Sequence, residues 1–160
     1  MLKEEITQLA KHIHQTVINN RRHLHAHPEL SFKEYNTSAF VKARLDEMGI
    51  PWNTIANTGV VAIVKGALPS DKVIALRADM DALPVTESNQ VDYASQHEGV
   101  MHACGHDAHT SSLLGTAHIL QSIKHKFGGT VKLIFQPGEE KLPGGASLMI
   151  KEGVLDNPKP

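Results

Sequence analysis

Cysteine occurs once in this chain, at Cys104, so no internal disulfide can form, and the composition fits a reducing compartment. Charge of one sign is also scarce. Sixteen Lys and Arg stand against seventeen Asp and Glu, a formal net charge of −1, which gives no bulk electrostatic case for binding nucleic acid or an anionic membrane. No apolar run is long enough to span a bilayer. The N-terminus, MLKEEITQLAKHIHQ, is mixed in charge and lacks the apolar stretch of a signal peptide, so a cytoplasmic location is the expectation. Repeats, low-complexity segments and obvious linkers are missing too. What remains is an ordinary globular composition, 41% hydrophobic and 21% charged, and 160 residues are enough for one domain with a core.

Periodicity places the elements. Ile6, Leu9, Ile13, Val17 and Leu24 recur at helical spacing, predicting an amphipathic helix over 3–26 that ends before Pro28. Ser31 with Glu34 has the form of a capping box for a second helix that stops near Gly49. VVAIVKG (60–66), KVIALRAD (72–79) and TVKLIFQ (130–136) are rich in β-branched and aliphatic residues and read as strands. A third helix is expected over 107–126 with Asp107 as its N-cap, and a short fourth one after Gly144-Gly145. Residues 86–100 are polar and irregular. Strands alternating with helices predict an α/β fold, a layered sheet flanked by helices. The tail, DNPKP, is loop sequence, so the chain is expected to stop in the middle of its architecture.

Four stretches can carry chemistry. In MHACGHDAH (101–109), a thiolate and an imidazole are good ligands for zinc and similar ions, and Gly105 lets Cys104 and His106 turn toward one point. The helix expected to start there would favour a negative charge on Cys104. The competing reading is a small buried thiol beside incidental histidines. QPGEE (136–140) follows an apolar strand, where α/β folds commonly place active-site residues. One of the adjacent carboxylates can ligate a metal while the other takes a proton from water; the alternative is a solvated Glu-Glu turn. In RADMD (77–81), Asp79 and Asp81 alternate and so share one face of an extended chain, which calls for a nearby cation or donor, unless they are turn carboxylates. RRHLHAHP (21–28) gathers cations at a helix C-terminus, where the helix dipole is explanation enough.

Taken together, RRHLHAHPELSFKEYNT, ALRADMDALPV, MHACGHDAH and LIFQPGEE, in this order, resemble the amidohydrolase branch of the M20 metallopeptidase family, from about Arg21 to the end of the chain. That branch holds hippurate hydrolases, N-acyl-amino-acid amidohydrolases and auxin-conjugate hydrolases. The resemblance implies a zinc-exopeptidase-like catalytic domain, two divalent metal ions (Zn or Mn), and hydrolysis of the amide bond in an N-acyl amino acid. It puts Cys104, His106 and Glu140 on the metals, with Cys104 bridging, and makes Glu139 the general base that takes a proton from water and passes it to the leaving amine. Asp79 and Asp81 fall where relatives carry His-x-Asp, which gives Asp81 a supporting part in catalysis. His102 and His109 are not expected to be ligands.

The resemblance also implies what the 160 residues lack. The family supplies further histidine ligands downstream, whereas no histidine follows Glu140 here, and the lid domain that serves substrate binding and dimerisation is absent. The expectation is therefore a partial catalytic domain over 1–160 that holds at most one metal weakly and is inactive by itself, while the intact protein is a homodimer. The rival reading is a non-catalytic α/β module with unused ligand residues. A redox-sensing thiol lacks a resolving cysteine, and a zinc finger lacks a cysteine pair.

Overall fold

A computed structural model describes residues 1–160. The elements run α1 (Leu2–Ala26), α2 (Tyr35–Glu47), β1 (Trp52–Ile55), β2 (Gly59–Lys65), β3 (Leu68–Asp79), α3 (His106–Ser122), a 3₁₀ turn (Lys124–Lys126), β4 (Gly128–Gln136) and α4 (Gly145–Lys151). The strands form one sheet in the order β1-β2-β4-β3. β2 pairs antiparallel with β1 and with β4, while β3 and β4 run parallel and are joined through α3. The α/β fold expected from the alternation of elements is the one observed.

The period-2 pattern of the strands sorts the core. Val60, Ala62 and Val64 of β2, with Val131, Leu133 and Phe135 of β4, point to the face covered by α2 and α3, where they meet Val41, Leu45, Leu113, Leu114 and Ala117. Each large side chain buried there contributes roughly 1.5–3 kcal/mol. α1 lies along α3; a Cβ at Gly115 would stand 2.8 Å from Val17 Cγ2, so the helices approach closely. On the opposite face Ile134 packs with Ala56, Met149 and Val154 around α4. Lys132, in the same row as Ile134, is buried, and its ammonium donates to the carbonyls of Val154 and Asp156, each at 2.7 Å. Burial pushes its pKa down.

Several local expectations are corrected. β1 was not foreseen: it is a four-residue edge strand, half exposed. β3 begins four residues before position 72 because Leu68 pairs with Gly128, and its register shifts before Val73. α3 gives way after Ser122 to the 3₁₀ turn. The expected capping box does not form. Ser31 donates instead to Asp81, and the first amides of α2 are met by Glu29, whose carboxylate accepts from the backbone N–H groups of Asn36 and Thr37. Asp107 is not the N-cap of α3, a place taken by Gly105; it lies inside the first turn.

Candidate metal centre

Register brings the chemistry together. In the parallel pair Asp79 lies opposite Gln136, so β3 and β4 end side by side, and the backbone N–H of Met80 still donates to the Gln136 carbonyl. Asp81 and the Pro137–Glu140 turn therefore leave the sheet at one edge, the carboxyl end of the parallel strands. α3 starts at that edge, tied there by the Thr110 hydroxyl, which donates to the Asp79 carbonyl. Gly105 precedes the helix at φ 84°, a left-handed conformation that glycine adopts without penalty, and it turns Cys104 and His106 toward the same point.

That point is also reached by Glu140. The Cys104 sulfur, an imidazole nitrogen of His106 and a carboxylate oxygen of Glu140 all lie within 4.8 Å of one another. The nitrogen is Nε2: it stands 3.9 Å from Glu140 Oε1 and 3.9 Å from Glu139 Oε2, whereas Nδ1 faces the other way, 2.8 Å from the Asp81 carbonyl and 3.3 Å from its Oδ1. A carbonyl only accepts, so Nδ1 carries the proton and Nε2 presents its lone pair to the thiol and the glutamates. The three expected ligands are thus brought together, with Glu139 beside them.

Asp81 stands behind His106, fully enclosed. Its Oδ2 accepts from the Ser31 hydroxyl at 2.7 Å and from the Glu140 backbone N–H at 3.0 Å. Burial by itself would raise its pKa, but His106, Ser31 and the backbone donors outweigh that and hold it down to about 2. The effect on Cys104 is opposite to the one expected from the helix end. Its hydrogen bond with Glu140 comes first, then burial and the charges of Glu139 and Asp79, and together they push the thiol pKa up. Thiol, imidazole lone pair and carboxylates converge with no cationic side chain among them, and this donor set fits a divalent ion.

A second group of donors adjoins the first. Asp79, His106 and His109 also offer atoms within 4.8 Å of one another, and His109 Nδ1 is 3.3 Å from Asp79 Oδ2. The other oxygen of Asp79 pairs with Arg77, which also donates to Gln136. Sequence reasoning set His109 aside. The available signal was its spacing: three residues after His106, it shares the same face once the helix begins at 106. His102 joins neither group. It is 4% exposed with both ring nitrogens unpartnered, and burial lowers its pKa to about 4.

The cation cluster at the end of α1 is more than a response to the helix dipole. His25 is buried between two carboxylates, Nδ1 at 2.7 Å from Asp107 Oδ2 and Nε2 at 3.0 Å from Glu87 Oε1. Arg21 reaches the same Asp107 oxygen at 2.8 Å. Glu87 accepts as well from the Ser95 backbone N–H, which fixes the irregular 84–105 segment leading into Cys104 against α1 and α3.

A mixed sheet backed by helices, with thiol, imidazole and carboxylate groups gathered at the ends of its parallel strands, defines the class as an α/β domain of the metallopeptidase kind. The model of peptidase family M20/M25/M40 matches residues 75–160, more than half of the chain, and the chain belongs to that family. It is 48% identical over 157 residues to an N-acyl-L-amino acid amidohydrolase of Geobacillus stearothermophilus, covering 98% of this chain and 42% of that protein. An N-acetyl-L-cysteine deacetylase of Bacillus subtilis is 46% identical, with 97% and 37% covered. Among solved structures, a dinuclear metal-binding peptidase of the M20 family from Bacillus subtilis superposes with a TM-score of 0.86 at 45% identity, covering 91% of this chain and 41% of that one. These relatives are enzymes, amidohydrolases and peptidases; the chain spans about two fifths of their length.

Proposed function

We propose that these residues form the N-terminal part of the catalytic domain of a metal-dependent amidohydrolase that cleaves N-acyl amino acids. The observation that carries this reading is the convergence of Cys104, His106 and Glu140 on one point, with Glu139 beside them. Cys104, His106 and Glu140 would hold a divalent ion, zinc by the preference of the thiolate or manganese by that of the carboxylates. The Bacillus subtilis relative is described as dinuclear. Three donors suffice for one ion bound weakly, so the remaining ligands of a dinuclear centre are assigned to sequence outside these residues, as are the lid and the dimer contact. When bound, the metal supplies Lewis acidity at the scissile carbonyl and lowers the pKa of a coordinated water.

The chain's own groups do the rest. Glu139, free of the ligand triad, accepts the proton from the attacking water and returns it to the leaving amine. Asp81 acts from behind: it keeps the proton of His106 on Nδ1 and fixes the Glu140 backbone, and so positions two ligands without meeting the substrate. Glu139→Gln in the longest chain that carries this segment is expected to keep the metal and lower turnover of an N-acyl amino acid by on the order of 10²–10⁴-fold. Turnover near that of the unmodified enzyme, with metal bound, refutes the assignment. The 160-residue chain by itself is expected to show no turnover with added Mn²⁺ or Zn²⁺.

A further inference from the structure

We propose that Glu34, far from the donor cluster in sequence, is the positioning residue for the loop that carries Glu139 and Glu140; this rests on the reading of those two glutamates given above. Glu34 is fully buried and faces no cationic side chain within hydrogen-bonding distance. Its three contacts are all hydrogen bonds that it accepts. Oε1 takes the backbone N–H of Phe32 at 2.9 Å and that of Gly138 at 2.8 Å, and Oε2 takes the Thr58 hydroxyl at 2.7 Å. One carboxylate thus ties together the segment before α2, the turn between β1 and β2, and the first residue of the Gly138-Glu139-Glu140 loop.

The loop has little other choice of path. Gly138 has φ 55°, and a Cβ there would stand 2.3 Å from the Phe32 ring, so the loop backbone rests directly on that ring. Phe32 is itself held in a left-handed conformation, φ 65°, by its bond to Glu34. Two residues on, the Glu140 N–H is held by Asp81. Glu34 and Asp81 therefore fix the backbone on either side of Glu139, and the side chains of Glu139 and Glu140 project from a stretch gripped at both ends.

A charge at position 34 is not what this role requires. A glutamine keeps Oε1 for the two amides and can donate from Nε2 to the Thr58 oxygen, since a hydroxyl accepts as readily as it donates. An alanine leaves both amides buried without an acceptor. Two measurements on the 160-residue chain separate these cases: amide hydrogen exchange across 138–140, and Co²⁺ titration followed by the thiolate-to-cobalt absorption of Cys104. Glu34→Ala is expected to speed exchange at 138–140 and weaken Co²⁺ binding about tenfold, the scale seen when a residue that orients ligands is removed. Glu34→Gln is expected to restore both to within about twofold of the unmodified chain. Leu45→Ala, a core cavity on the α2 side, controls for mere destabilisation and leaves both readouts unchanged while the chain is folded. Unchanged exchange at 138–140 in Glu34→Ala, or a glutamine variant as impaired as the alanine one, overturns the proposal. Absence of Co²⁺ binding by the unmodified chain overturns the metal reading instead, and exchange still decides whether Glu34 holds the loop.

Discussion

Consecutive residues of α3 serve two regions that differ in one respect. Asp107 looks toward α1, into a cluster where each carboxylate has its partner: Arg21 and His25 on Asp107, His25 and the Ser95 amide on Glu87. His106 looks toward Cys104, Glu139 and Glu140, where donors of electron pairs face one another and no cationic side chain intervenes. The first region is complete within the chain. The second has a surplus of acceptors that nothing in the chain offsets. The satisfied cluster is buried and holds structure; the other is open to solvent at Cys104 and Glu140, and on the reading proposed above it is where a cation would fit.

Breaking the closed region is expected to have the largest effect. Asp107→Ala leaves His25 buried without one of its two carboxylates, and loss of one member of a buried ion pair costs about 3–5 kcal/mol; urea unfolding measures it, and a loss below about 1 kcal/mol would show that the network is not what fastens 84–105 to the helices. The open region responds differently. Asp81→Asn is expected to weaken Co²⁺ binding about 10–100-fold, or about 1.4–2.7 kcal/mol, because the orientation of His106 and Glu140 loosens; unchanged affinity in a titration would remove Asp81 from the site. Glu140→Gln, within the open cluster, is expected to change the stability of the metal-free chain by less than about 0.5 kcal/mol or to raise it. Added Zn²⁺ or Mn²⁺ then raises the melting temperature of the unmodified chain but not of that variant. A large loss of metal-free stability in Glu140→Gln would erase the contrast between the two regions.

Acid titration sharpens the comparison with two carboxylates whose pKa values are shifted in opposite directions. Burial would raise the Glu87 pKa, but the Ser95 amide and His25 outweigh it and bring it to about 2. Its contribution to stability is present above about 4.5 and is lost as pH falls toward 2, so Glu87→Gln flattens that part of the acid limb. Glu34 behaves conversely. Burial dominates over the bonds from Thr58, Gly138 and Phe32 and raises its pKa, so its ionisation opposes folding and stability declines as pH rises from about 4.5 through the folded value. Glu34→Gln abolishes that decline; urea midpoints against pH read both.

Much of this was legible in the sequence, and the omissions share a cause. The strands of the sheet interior and the helices that cover them announce themselves by periodicity, because Val60, Leu133 or Leu114 are placed by burial, which acts on pattern. β1 escaped notice because WNTI is short and lacks a period-2 pattern, with exposed Asn53 and Thr54 side by side between half-buried Trp52 and Ile55. The caps were misread because the side chains that could have capped locally are claimed from a distance: Ser31 by Asp81, Glu34 by Gly138 and Thr58, Asp107 by Arg21 and His25. Cys104 and His106 were nameable from residue type and spacing, and the Glu139-Glu140 pair from its place after a strand, while the choice of Glu140 as the ligand came from the family resemblance. The bond from His25 to Asp107 spans 82 positions, and no local pattern encodes it. The grouping of His109 with Asp79 was hidden in the same way, since it depends on where α3 docks against the end of β3.

The parallel pairing of β3 with β4 has one more consequence. Sliding β3 by a single residue would carry Asp79 about 3.3 Å along the sheet and turn its carboxylate from the α4 side to the helix-packed side. His109 and Thr110 would lose their common partner and Arg77 would part from Gln136 at one stroke. The centre is in this sense a vernier for the two strands, and an insertion that the irregular stretch 86–99 could absorb would, between 73 and 79, dismantle it.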